Sequence, residues 1–324
     1  MTPPASVVVR AKDKADTITR TLTSLREQSV RPEIVVVDSG STDGTLEIAR
    51  RLADRVVEIA PEDFTYGGAL NTGAAAASGD VHMAVSAHSY PYSRTWVEDS
   101  LALYARPDVA GTNSGKRTPW GEDIVDVYFQ TPRDAVEHAW WGFSNHGSSW
   151  RATAWEQHPF RTDLPAAEDK EWSWRVLAAG WTIAYSPRLS VSANHRRDAG
   201  LRPLARRIVK ERGTILALGA AEPRPLGQAF QEWWSPVRFP EHRHPMIRRM
   251  SPWRAVESAA AAWVEHRPLP TYPNPGMAEL RRQVLGADAE HAPGGTRGPA
   301  GGTPPRTALP GPRHDAPAAQ TVDA

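Results

Sequence analysis

Cysteine is absent from the 324 residues, which excludes disulfides and thiolate-ligated zinc and leaves no sign of a need for an oxidising compartment. Long apolar runs are missing too. Nothing approaches the roughly 18 uninterrupted residues of a membrane span, and Met1–Val9 lacks the basic stretch and following apolar run of an export signal. Nor is there an excess of either charge: 38 Lys and Arg stand against 37 Asp and Glu, a formal net charge of +1. A dedicated nucleic-acid binder usually shows a domain-wide basic excess, so that class is set aside. The expectation is a cytoplasmic, globular protein, and 40% hydrophobic residues suffice for a sizeable core.

What is present is an alternation of short β-branched runs with helical spacing, the sequence form of βαβ units building a mostly parallel sheet. Ser6–Val9, Ile34–Val37, Val56–Ile59 and Val81–Val85 read as strands. Ile18, Leu22 and Leu25 share one helix face, which predicts a helix over Ala15–Gln28, and Thr45–Leu52 predicts another. Gly67–Ala77 reads as a loop entering a helix. After an irregular stretch from Gly111 to Pro165, Glu168–Ala179 predicts a helix ended by Gly180, and Thr182–Tyr185 and Leu189–Ala193 read as strands. Leu204–Leu218 is amphipathic with a polar face of Arg206, Arg207, Lys210 and Arg212, and Trp253–Val264 predicts a further helix. From residue 267 onward Pro, Gly, Ala and Thr dominate, a composition expected to stay disordered. The division expected is a catalytic domain over 1–200, a helical extension over 201–266 and a tail over 267–324.

The chemistry-bearing segment nearest the amino terminus is Glu33-Ile-Val-Val-Val-Asp38-Ser-Gly-Ser-Thr-Asp43-Gly44-Thr45. It sets a carboxylate at the carboxyl end of an apolar strand, where open α/β sheets bind ligands. Asp38 there can accept hydrogen bonds from a base or ribose. Taken singly, each of these Asp, Ser and Thr residues reads equally well as a helix cap, Asp43 above all.

This segment resembles the first nucleotide-binding motif of family 2 glycosyltransferases, which have the GT-A fold. Val7-Val-Val-Arg10-Ala-Lys12-Asp13, Ala69-Leu-Asn71-Thr-Gly73 and Ser78-Gly79-Asp80 match further motifs in order. The resemblance implies a nucleotide-sugar site including Arg10, Asp13, Asp38, Asn71 and Ser86, with Gly67 and Gly73 letting the chain pass close to the ligand. Where most relatives carry an Asp-x-Asp pair for a divalent cation, this chain reads Ser86-Ala87-His88. His88 stands where the ligand of a manganese or magnesium ion is expected, against the alternatives that it donates a hydrogen bond directly to a phosphate or simply packs at the strand end. His195 is the second candidate ligand, with Arg196 and Arg197 as neighbouring charge that could help or replace a cation.

By the same resemblance Glu168-Asp169 is the acidic pair of inverting members and Asp169 the general base, although carboxylates in a first helical turn also suit the helix dipole. Of the tryptophans between 140 and 181 most are expected in the core. Trp140 and Trp141, with His146 and Gly147 in a glycine-containing loop, are the candidates for the acceptor side. The segment Asp63–Asn71 and the replaced Asp-x-Asp look most like bacterial rhamnosyltransferases, although relatives often carry Arg where Gly68 stands. The reading is thus a transferase using a dTDP-, UDP- or GDP-linked sugar and a glycan, lipid-linked or small-molecule acceptor. Its rival is a non-catalytic nucleotide-sugar binder with a degenerate metal site. The basic face of 204–218 adds the prospect of peripheral membrane docking, against the plainer readings of a solvated face or intramolecular pairing.

Overall fold

The computed structural model describes residues 4–192, 200–234 and 251–290. Eight strands form one sheet: β1 (Ala5–Ala11), β2 (Glu33–Asp38), β3 (Arg55–Glu58), β4 (Val81–Ser86), β5 (Val109–Ser114), β6 (Tyr128–Gln130), β7 (Ser148–Arg151) and β8 (Thr182–Ser186), in the order β3-β2-β1-β4-β7-β5-β8-β6. The β3-β2-β1-β4 block is parallel, β7 lies antiparallel to both β4 and β5, β8 runs parallel to β5, and β6 closes the edge antiparallel to β8. Eleven helices are described: α1 (Ile18–Arg26), α2 (Thr45–Leu52), α3 (Tyr66–Ala76), α4 (Trp96–Leu103), α5 (Pro132–Glu137), α6 (Ala152–Gln157), α7 (Glu168–Ala178), α8 (Leu201–Ala217), α9 (Leu226–Trp234), α10 (Pro252–Glu265) and α11 (Pro275–Glu290). None of the described helices is long and apolar enough to cross a membrane.

Successive residues of a strand face opposite sides of the sheet, so a strand covered on both sides must be apolar throughout. On β1, Val7 and Val9 enter a core with Ile18, Leu22 and Leu25 of α1 and Trp96 of α4, while Val8 enters the other with Leu70 of α3, Trp172 and Trp174 of α7 and Met277 of α11. Ile18, Leu22 and Leu25 are fully buried, each contributing about 2 kcal/mol of transfer free energy.

The structure departs from the sequence reading in three places. First, α3 begins at Tyr66 rather than after a loop, because the Thr65 hydroxyl caps it by accepting from the Gly68 N–H at 2.9 Å. Second, Leu189 closes a single 3-10 turn over Pro187–Leu189, not a strand. Ser190 and Ser192 then exchange backbone hydrogen bonds with Tyr92 and Tyr90 outside the sheet. The Ser186 hydroxyl, accepting from the Arg188 N–H, and Pro187 start that turn, and Ala193 lies outside the described residues. Third, residues 275–290 are helical. Asn274 Oδ1 accepts from the Met277 N–H and Pro275 sits at the first helical position. Met277 and Leu280 are buried, and Gly276 lets α11 press on the backbone of Trp174 and Arg175. Residues 291–324 lie outside the described part.

Candidate active site

At the carboxyl ends of β1, β2 and β4 opens a cleft of about 800 Å³, roofed by α8. Arg10, Ala11, Lys12 and Lys14 line it from β1 and the loop that follows. Ser39 does so from just after β2, Ser86 from the end of β4 and His88 from the turn that follows it, Ser144, Asn145 and His146 from the loop before β7, and Glu168, Asp169 and Lys170 from the first turn of α7. From α8 come Arg206, Arg207, Lys210, Glu211 and Arg212. Eight Lys or Arg side chains thus face three carboxylates, a balance that favours an anionic ligand.

The floor is built by loop-to-loop hydrogen bonds. Asp38 is 1% exposed. Its Oδ1 accepts from the N–H groups of Gly40 (3.0 Å) and Ser41 (2.8 Å), and its Oδ2 from the Ser41 hydroxyl. Asp38 therefore shapes the turn that presents Ser39 rather than standing in the cleft wall. Asp13, with the left-handed φ of 47°, accepts from the Thr42 N–H at 2.8 Å and donates its own N–H to Ser41 Oγ. Asp43 bonds the N–H groups of Ala15 and Thr45. These carboxylates knit the loops after β1 and β2, and neither Asp13 nor Asp38 is among the residues lining the cleft.

Gly67, Asn71 and Gly73 also lie outside the cleft. A Cβ on Gly67 would stand 2.1 Å from the Arg161 carbonyl oxygen, and one on Gly73 2.3 Å from Val8 Cγ1. The close approach these glycines permit is to the 160–161 backbone and to β1. Asn71 Nδ2 donates to the Phe160 carbonyl, and its Oδ1 accepts from the Phe160 N–H and from Trp155 Nε1. Together these residues clasp the segment that leads into α7.

That segment ends in Ala167, whose φ of 59° is unusual for a residue with a Cβ. It turns the chain so that Glu168 and Asp169 open α7 side by side. Glu168 is buried. Arg10 Nη1 lies 3.8 Å from its Oε1, and Asn145 Nδ2 donates to the same oxygen. Burial, then the adjacent Asp169, push its carboxyl up to about 7 against the opposing pull of Arg10. Asp169 is more open. Its Oδ2 accepts from the Asn145 N–H at 3.1 Å and its Oδ1 from the Lys170 N–H at 2.8 Å. Lys170 Nζ donates to the carbonyls of Gly142 and Phe143, tying the 142–145 loop to the pair.

On the opposite wall His88 and His146 are both part-buried. Burial, then Lys14, Arg10 and Arg207, lower the His88 imidazole, and burial, then His88 and Arg207, push His146 down to about 4. Both rings are neutral at physiological pH and capable of ligation, yet the residues around them are cationic. Among the described residues no group of three His, Cys, Asp or Glu side chains is placed to hold a metal ion, and His195 lies outside them. The described donor set, the Ser86 hydroxyl and the two imidazoles of His88 and His146 among Lys14, Arg10 and Arg207 with no carboxylate completing a group of three ligands, does not fit a divalent cation.

Of the acceptor-side candidates, Trp140 is 38% exposed and lines the cleft, with the Arg212 guanidinium 4.3 Å from its ring centroid. Trp141 is not in the wall. Its ring packs on Tyr185 and its Nε1 donates to the Arg117 carbonyl. Gly147, with φ 79°, packs on Val191. The sequence reading missed Tyr66, flanked by Arg10 and by Lys210 at 4.5 Å, and left the basic face of α8 open between solvent, intramolecular pairing and a membrane surface. Pro203, Arg206, Arg207 and Lys210 do recur at helical spacing, a signal of a shared face but not of what the face meets.

Residues 6–137 match the family model described as glycosyl transferase family 2. Among curated relatives, the O-antigen chain rhamnosyltransferase WbaN of Salmonella anatum is 24% identical over 53% of this chain and 60% of its own length. Glycosyltransferase AglE of Haloferax volcanii is 24% identical over 57% of this chain and 64% of its own. The chain therefore matches less than two thirds of each. Among solved structures, the mannosyltransferase PcManGT of Pyrobaculum calidifontis, in complex with GDP-Man and Mn2+, superposes with a TM-score of 0.53 at 21% identity, over 90% of this chain and 77% of that one. The ordered motifs, the parallel block with its cleft at the strand ends and these matches agree: residues 6–137 are similar to glycosyl transferase family 2, and the chain has the GT-A fold.

Proposed function

We propose that the chain is an inverting glycosyltransferase that moves a sugar from a nucleoside diphosphate to a hydroxyl of a glycan, lipid-linked glycan or small metabolite. The observation that carries this reading is the Glu168–Asp169 pair facing a cleft lined by eight Lys or Arg residues. A pure binder of nucleotide sugars has no need of a base opposite the charge-binding wall. In the reaction the acceptor oxygen attacks the anomeric carbon while Asp169 takes its proton. The bond from that carbon to the diphosphate oxygen breaks, and the electron pair leaves with the diphosphate, whose growing charge Arg10 and the cations around it stabilise. Glu168, held up to about 7 by burial and by Asp169, is part-protonated near neutrality, which leaves Asp169 as the base of the pair. Asn145 orients it through the Asp169 Oδ2 bond.

The rhamnosyltransferase name of WbaN makes a rhamnosyl donor, offered as dTDP-rhamnose, the first to test, and the GDP-Man complex of PcManGT makes GDP-mannose the second. The test is release of free nucleoside diphosphate from these donors and UDP-glucose, with water and with a panel of glycans as acceptors, and NMR of the product's anomeric centre. Release from one donor with inverted configuration is expected. A product that retains the donor's configuration, or no release from any donor with any acceptor, contradicts the proposal.

A further inference from the structure

The cation-rich wall assigns a role to α8 that neither the family motif nor its matched stretch contains. Where an Asp-x-Asp carboxylate would hold a divalent ion, β4 ends in Ser86 and leads to His88. The groups whose charge reaches that histidine are Lys14, Arg10 and Arg207, with Asp16 the opposing one. A divalent ion placed there would meet mostly like charge and, among the described residues, no cluster of three ligating side chains, whereas the phosphate oxygens it would serve meet donors already in place.

Those donors sit on rigid elements. Arg10 lies within β1, in register with Ser86 of β4. Arg206, Arg207 and Lys210 lie on one face of α8, and that helix is itself anchored. Arg212 and Arg224 both bond Glu265 of α10, and Leu204, Thr214 and Ile215 are buried. Lys210 and Arg212 rest on the rings of Tyr66 and Trp140 at 4.5 and 4.3 Å, which spans the helix across the cleft. Arg207 Nε donates to Glu211 one turn on, at 2.6 Å, which orients its guanidinium while leaving further N–H groups for a second anion.

We propose that the donor's diphosphate is held by protein cations, Arg10 and Lys14 from the sheet and Arg206, Arg207 and Lys210 from α8, in place of a carboxylate-bound divalent ion. This rests on the reading of the cleft as a nucleotide-sugar site. It makes α8, which lies outside the family match, a donor-binding element and places its charge where the leaving group forms.

Calorimetry with UDP, dTDP and GDP tests it, in EDTA and in manganese, on the intact chain and on an Arg206→Gln/Arg207→Gln variant, with the uncharged nucleosides as controls. The expected result is that one diphosphate binds in EDTA within threefold of its affinity in manganese. The double variant should lose at least tenfold for the diphosphate and nothing for the nucleoside, and an Arg206→Lys/Arg207→Lys variant should recover most of the loss. Equal loss for nucleoside and diphosphate would mean a misshapen cleft and overturn the assignment. Binding that requires manganese and ignores the α8 substitutions overturns the inference while leaving the transferase reading intact. Absence of binding by every diphosphate under both conditions overturns both.

Discussion

Glu168 and Asp169 are neighbours in sequence with different surroundings, and the difference decides their chemistry. Glu168 is buried beside a second carboxyl, which raises it from 4.5 to about 7. An acid raised on folding contributes stability below its unfolded value and loses it as pH rises through the folded one, here between about pH 4.5 and 7. Thermal unfolding from pH 5 to 8 should therefore show the wild-type midpoint falling relative to that of Glu168→Gln as pH rises, and parallel curves would contradict this environment. At this scale the sequence was an incomplete guide. It singled out Asp13, Asp38 and Asn71 by motif, but a motif does not distinguish a side chain that touches a ligand from one that holds the loop beneath it. In the structure Asp38 bonds Gly40 and Ser41 and Asp13 bonds Thr42, loop bonds that the motif alone does not announce.

Among the elements, α3 shows how a motif can serve the site from a distance. Gly67 packs on the Arg161 carbonyl and Asn71 brackets Phe160, so α3 sets the path of the chain into Ala167 and hence the aim of the acidic pair. Adding a Cβ at Gly67, 2.1 Å from that carbonyl oxygen, should cost about 1–3 kcal/mol through overpacking. Helix propensity, which favours Ala by about 1 kcal/mol, offsets only part of this. Gly67→Ala is expected to lower the denaturant midpoint and to slow nucleoside diphosphate release by displacing α7. Unchanged release in a destabilised variant would show that α3 does not position the pair. The helix α7 itself was legible from start to end because its stop is chemical. Gly180 adopts φ 89°, and the 180 and 181 N–H groups close on Leu177 and Val176. The segment at 189–193 and α11 were misread for the opposite reason. Alternation of Leu189, Val191 and Ala193 with two serines beside a proline turn suggested a strand, and a Pro- and Gly-rich composition hid the Asn274-Pro275 helix start.

The molecule as a whole joins two stretches that a single motif scan would separate. The family match ends at residue 137, yet Glu168, Asp169 and all of α8 lie beyond it and complete the cleft. The sheet's parallel block fixes where that cleft opens, and this was legible, since β1, β2 and β4 announce themselves as apolar runs buried on both faces. The roof was not. Its residues lie some 200 positions from Arg10 in the chain but share the cleft with it, and only folding reveals which surface a basic helix face meets. The central claim is that this assembled cleft binds a nucleotide sugar and that Asp169 supplies the base. The direct measurement is paired binding and turnover in Asp169→Asn. Nucleoside diphosphate affinity by calorimetry should stay within about threefold while release of the diphosphate during transfer falls on the order of a hundredfold or more. Transfer at the wild-type rate in that variant would contradict the account.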